Sequence, residues 1–70
     1  MSALTRFTPP VAAAGFFEIH FDGTNFRLFD LGKSRRSQSF GAPQYTGDLY
    51  ATLAEAEAGV KERATDRGDL

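Results

Sequence analysis

Phe17-Glu18-Ile19-His20-Phe21 alternates large apolar side chains with polar ones and runs directly into Asp22-Gly23. Successive side chains of an extended chain point to opposite faces, so a period of two predicts a strand buried on one side only. Asp-Gly is a strong hairpin signal, because glycine reaches positive φ without steric cost. Beyond it, Phe26, Leu28 and Asp30 share one side of a second strand, and Arg27, Phe29 and Leu31 share the other. The hairpin therefore has an apolar face of Phe17, Ile19, Phe21, Phe26 and Leu28. Its opposite face carries Phe16, Glu18, His20, Arg27 and Phe29.

A third strand is expected over residues 34–40, between Gly32 and Gly41, with Phe40 turned inward. On that register Arg35, Ser37 and Ser39 face outward, and Arg36 snorkels to water from the sheet edge. Residues 41–49 read as a loop, broken by Pro43 and Gly47 and carrying Tyr45. Thr52 with Glu55 three positions later forms a capping box. Leu53, Ala56, Val60 and Ala64 then trace a narrow apolar stripe at helical spacing, while Glu57 and Lys61 form an i, i+4 pair. The expected fold is α+β, a three-stranded antiparallel sheet packed on one C-terminal helix, in the order β-β-β-α. The expected organisation is an extended arm over 1–15 that can add an edge strand, one domain over 16–66, and a frayed tail over 67–70. The expected core is Phe17, Ile19, Phe21, Phe26, Leu28, Phe40, Leu53, Ala56 and Val60.

Seventy residues make one small domain, which buries only about 60% of its unfolded surface. With no cysteine there is no disulfide and no thiolate ligand, so seven Phe and two Tyr must supply most of the core. The absence of cysteine suits a cytoplasmic setting. No signal peptide is expected, and the apolar run over 11–17 is too short to span a bilayer. His20 is the sole histidine and thus the sole imidazole base. A nucleophile triad needs three mutually positioned groups, and His20 with Asp22 alone is too small a set for a metal. The glycines are isolated turn residues rather than a phosphate-binding loop. The expectation is a non-enzymatic protein without metal or cofactor and without membrane association.

The sheet face away from the helix mixes aromatic, basic and hydroxyl groups, which suits contact with nucleic acid or protein. Net charge is −1, with a small basic excess in the first half of the chain and an acidic excess in the second. The order Gly32-Lys33-Ser34-Arg35-Arg36, then Phe40, then Thr52-x-x-Glu55-Ala56-Glu57-Ala58 resembles the amino-terminal arm-type DNA-binding domains of phage and mobile-element tyrosine integrases. The resemblance spans residues 16–64. It implies a three-stranded sheet with one helix, the sheet entering the DNA major groove, and DNA contact at Arg27, Lys33, Arg35 and Arg36. His20 and Phe29 lie beside these. A fainter similarity, carried by Phe17-Glu18-Ile19, Phe26-Arg27-Leu28 and residues 55–60, is to small bacterial sheet-and-helix domains of unknown function.

Two function classes follow as expectations. One is a DNA-binding or DNA-associated accessory module. The other is a phage or mobile-element protein of the anti-CRISPR kind that binds and inhibits a host protein complex. In the second, Phe29, Tyr45 and Tyr50 are the anchors, and the helix acids Glu55, Glu57 and Glu62 meet a basic partner. A homodimer through edge strands or sheet faces is compatible with either.

Overall fold

The computed structural model describes residues 5–10, 13–33 and 41–69. They form β1 (Thr5–Phe7), β2 (Phe17–Phe21), β3 (Phe26–Asp30), β4 (Gln44–Tyr50) and α1 (Leu53–Asp66). The four strands pair antiparallel in sequence order, with α1 packed across one face. The architecture is α+β with one C-terminal helix, as the patterning predicts, but among the described residues the sheet has four strands rather than three.

The difference lies at the two edges. The N-terminal arm supplies β1, which pairs Thr5 with Phe21, Arg6 with His20 and Phe7 with Ile19. On the other side of β3, the expected position of residues 34–40 is occupied by Gln44–Tyr50, a stretch read as loop from sequence. Residues 34–40, including Arg35, Arg36 and Phe40, lie outside the described residues.

The hairpin forms in the register its alternation dictates, from Phe17 opposite Asp30 to Phe21 opposite Phe26. Asp22 holds the turn. Its carboxylate accepts the backbone N–H groups of Thr24 at 2.9 Å and Asn25 at 2.8 Å, an Asx turn that fixes the reversal.

The buried apolar core is Ala13, Phe17, Ile19, Leu28, Ala56, Val60 and Ala64. Phe7, Phe16, Phe26, Tyr50 and Leu53 pack at its margin. Phe16 therefore packs with the core instead of joining the opposite face. Thr52 caps the helix by accepting the Glu55 N–H at 3.1 Å. The helix buries Ala56, Gly59, Val60 and Ala64, whose small side chains bring its backbone close to the aromatic sheet.

Residues 67–69, expected to fray, end the helix in a Schellman motif. Gly68, at φ 76°, donates to the Thr65 carbonyl at 3.0 Å, and Asp69 donates to the Ala64 carbonyl at 2.8 Å. Arg67 then ties this end to the sheet. Its guanidinium lies 4.8 Å from the centre of the Phe17 ring and meets Asp30 at 3.0 Å and Asp69 at 3.2 Å. Asp69 is fully buried.

Candidate binding face

Register places two cross-strand rows on the face opposite the helix. One runs Arg6, His20, Arg27, Leu49; the other runs Glu18, Phe29, Tyr45. The β4 members reach this face through an irregularity. Arg27 pairs with Leu49 and Phe29 with Tyr45, so residues 46–48 all lie opposite the single residue Leu28. Two extra residues leave the side-chain parity unchanged, so Tyr45 and Leu49 share one side. Gly47 takes up the bend at φ 93°, a conformation costly for other residues. Thr46 and Asp48 point the other way. Asp48 accepts from Arg63 Nε on the helix at 2.9 Å, and its backbone N–H reaches Thr46 Oγ1 at 3.3 Å.

His20 sits at the centre of the face and is only 5% exposed. Its ring stacks on Phe29, with centroids 5.0 Å apart and planes 20° from parallel. Tyr45 meets both rings edge-on, at 5.4 Å from His20 and 4.9 Å from Phe29. Both imidazole nitrogens are satisfied: Nε2 lies 2.8 Å from Glu18 Oε1 and Nδ1 lies 2.7 Å from the Tyr45 hydroxyl. An ionised Glu18 can only accept, so Nε2 carries a proton. In the neutral ring Nδ1 then accepts the Tyr45 O–H. The result is a continuous Glu18–His20–Tyr45 chain that orients the phenol from behind.

Outside this cluster the face is open. Leu49 is 53% exposed and Tyr45 41%. Arg27 is engaged by Asp22, Nε to Oδ2 at 2.8 Å. Asp22 is held well below the ordinary carboxylate value, at about 2, by the Asn25 N–H first, then by the Arg27 side chain and the Thr24 N–H. The turn thus neutralises the arginine that flanks His20 from β3. Arg6 makes no ion pair among the described residues.

Of the residues expected to meet nucleic acid, His20, Phe29 and Arg27 come together on this face. Lys33 is exposed beyond the end of β3, where its carbonyl accepts from Arg67. Arg35 and Arg36 are not among the described residues. Of the residues expected to meet protein, Phe29 and Tyr45 are in contact, whereas Tyr50, Glu55, Glu57 and Glu62 belong to the helix side of the sheet. Tyr50 packs against Gly59. Glu55 and Glu62 are exposed, and Glu57 is half-buried. The two anchor groups therefore do not form one continuous surface. Arg6, Glu18 and Leu49 were not singled out from the sequence as binding residues. Glu18 was legible as the i−2 neighbour of His20 on one strand face, but Arg6 and Leu49 reach the face only through strand pairings that local patterning does not encode.

Among the described residues no group of three His, Asp or Glu side chains is placed to hold a metal, and no helix is long and apolar enough to cross a membrane. Comparison of the chain with protein-family models, with curated proteins and with solved structures found no match.

Proposed function

We propose that this chain is a small non-enzymatic binding module that engages a protein partner through the open face of its sheet, with Tyr45, Leu49 and the edge of Phe29 as the contact. The observation that carries this reading is the exposure of Leu49 and Tyr45 beside a rigid aromatic stack. A preorganised aromatic anchor loses little side-chain entropy on binding, and buried aromatic anchors dominate interface energetics. Charge supports the same reading over DNA. Arg27 is already paired with Asp22, and net charge is −1, whereas affinity for DNA rests on cations available to neutralise phosphates. Inhibition or masking of a host protein complex, as by a phage or mobile-element inhibitor, is a role that such a module fills without catalysis.

The sheet edges favour contact through the face. β1 has three residues and is followed by Pro9-Pro10, and β4 carries the 46–48 bulge; short strands, proline and bulges all discourage strand addition. The DNA reading keeps one supporting observation, the guanidinium of Arg6, which makes no ion pair among the described residues and lies in the same row as His20.

The test is capture by the tagged chain from host lysate, with and without nuclease, comparing the native sequence with Leu49→Asp, Glu62→Ala and Arg6→Ala. We expect a stoichiometric protein that survives nuclease, is lost with Leu49→Asp and is kept with Glu62→Ala. Nuclease-sensitive recovery of DNA that depends on Arg6 would overturn the protein reading in favour of DNA.

A further inference from the structure

Tyr45 differs from an ordinary surface tyrosine because a base stands behind its hydroxyl. We propose that Tyr45 is a nucleophilic phenol, activated by the Glu18–His20 pair, that accepts an acyl group from activated esters and so forms a covalent modification site on the open face. The inference concerns this chain alone and needs no binding partner, so it stands or falls separately from the binding role.

Geometry carries the argument. A phenol is protonated and weakly nucleophilic near neutral pH unless an adjacent base takes its proton. Here His20 Nδ1 is 2.7 Å from the Tyr45 oxygen, and Nε2 is anchored to the Glu18 carboxylate at 2.8 Å. This is the order that nucleophilic catalysis requires: nucleophile, base, and a third group that fixes the tautomer and stabilises the charged ring. Stacking on Phe29 restrains rotation of the ring. His20 is 5% exposed and Tyr45 41%, so an electrophile meets the phenol and not the imidazole. Among the described residues the charged groups flanking His20 on this face come from three strands: Arg6 on β1, Glu18 on β2 and Arg27 on β3, the last already paired with Asp22.

In the step, the Tyr45 oxygen attacks the ester carbonyl carbon while its proton passes to Nδ1. The carbonyl carbon–oxygen bond to the leaving group breaks, and the leaving alkoxide or phenolate takes up that proton. The products are an acyl-tyrosine ester and the free alcohol, with no change of oxidation state. Tyr50 is an internal control: its ring packs against Gly59, and burial, reinforced by the Asp48 carboxylate, raises its pKa.

The probe is p-nitrophenyl acetate, with nitrophenolate release followed in time and the acetyl group located by peptide mass spectrometry. We expect acetylation of Tyr45 in preference to Tyr50, and no adduct at this site in Tyr45→Phe. Replacing the base in His20→Gln is expected to slow labelling about a hundredfold, the lower end of what a positioned base supplies. Glu18→Gln, at a partly exposed position, is the second variant should His20→Gln fail to fold. Glu18 is a positioning residue, so its substitution is expected to lower the labelling rate at an unchanged urea midpoint. The pH–rate profile of labelling is expected to differ between the native chain and His20→Gln, as loss of the base requires and a merely structural role would not. Equal labelling of the two tyrosines, an adduct on His20, or a rate indifferent to both substitutions overturns the proposal.

Discussion

Asp22 shows how one side chain serves two structures. Its carboxylate closes the hairpin turn through Thr24 and Asn25, and the same group occupies Arg27 on the candidate binding face. Both sets of contacts favour the ionised form, the Asn25 N–H first, which is why its value falls to about 2 from an ordinary 3.8. The sign follows from linkage: a carboxylate with a depressed folded-state pKa stabilises the fold above its unfolded value and loses that contribution as it is protonated. Asp22 therefore contributes fully above about pH 4, and its contribution disappears as pH falls towards 2. Asn at this position keeps an Asx acceptor but has no charge to lose. Urea midpoints measured across this window are expected to fall less steeply for Asp22→Asn than for the native chain. Parallel curves would show that Asp22 does not carry the acid sensitivity. At the same scale, Tyr45 gains its setting from His20, a neighbour 25 residues away in sequence. No local reading pairs them.

Among the elements, the helix and β4 meet at Gly59 and Tyr50. A Cβ at Gly59 would fall 2.6 Å from Cζ of Tyr50, so the glycine makes room for the ring. Alanine there gains about 1 kcal/mol of helix propensity and meets an overpacking cost of about 1–3 kcal/mol. Gly59→Ala is therefore expected to destabilise the native chain by about 1 kcal/mol and to stabilise a Tyr50→Ala background by a similar amount. A double-mutant cycle from denaturant unfolding checks this, and additivity of the two changes would remove the contact from the account. The helix and the hairpin were legible as elements, because Thr52 with Glu55, the alanine stripe and the Phe17–Phe21 alternation each follow a local rule. β4 was not legible. Its helix-facing positions are Thr46, Asp48 and Tyr50, while its outward positions include Tyr45 and Leu49, so polarity along the strand is partly inverted. The inversion is explained by Arg63, which neutralises Asp48 from the helix, and by the exposed role of Tyr45 and Leu49.

The whole molecule rests on a narrow core. Among the described residues the largest fully buried apolar side chains are Phe17, Ile19, Leu28 and Val60. A domain of this length has roughly 4–10 kcal/mol of stability to lose. Leu28 lies on the central strand β3, beneath the helix and opposite Ile19. Leu28→Ala is expected to cost about 3 kcal/mol, within the range for buried leucine truncation. Thermal and urea unfolding measure this, and a loss below about 1 kcal/mol would mean that the core collapses around the gap. The Arg67 clamp joins the helix end to Phe17 and Asp30, so the last described turn belongs to the fold rather than to a tail.

Local chemistry by itself determined the hairpin and its two faces, the capped helix and its buried stripe, and the absence of disulfides. Each of these follows from residue spacing within a few positions, through side-chain period, turn chemistry or capping. Tertiary structure alone decided the strand count, the conversion of 44–50 from loop to edge strand, and the seating of Arg67 and Asp69. It also decided the Glu18–His20–Tyr45 chain. These depend on pairings between distant segments, where a partner across the sheet or on the helix compensates a glycine, a bulge or a buried charge that local rules count against regular structure.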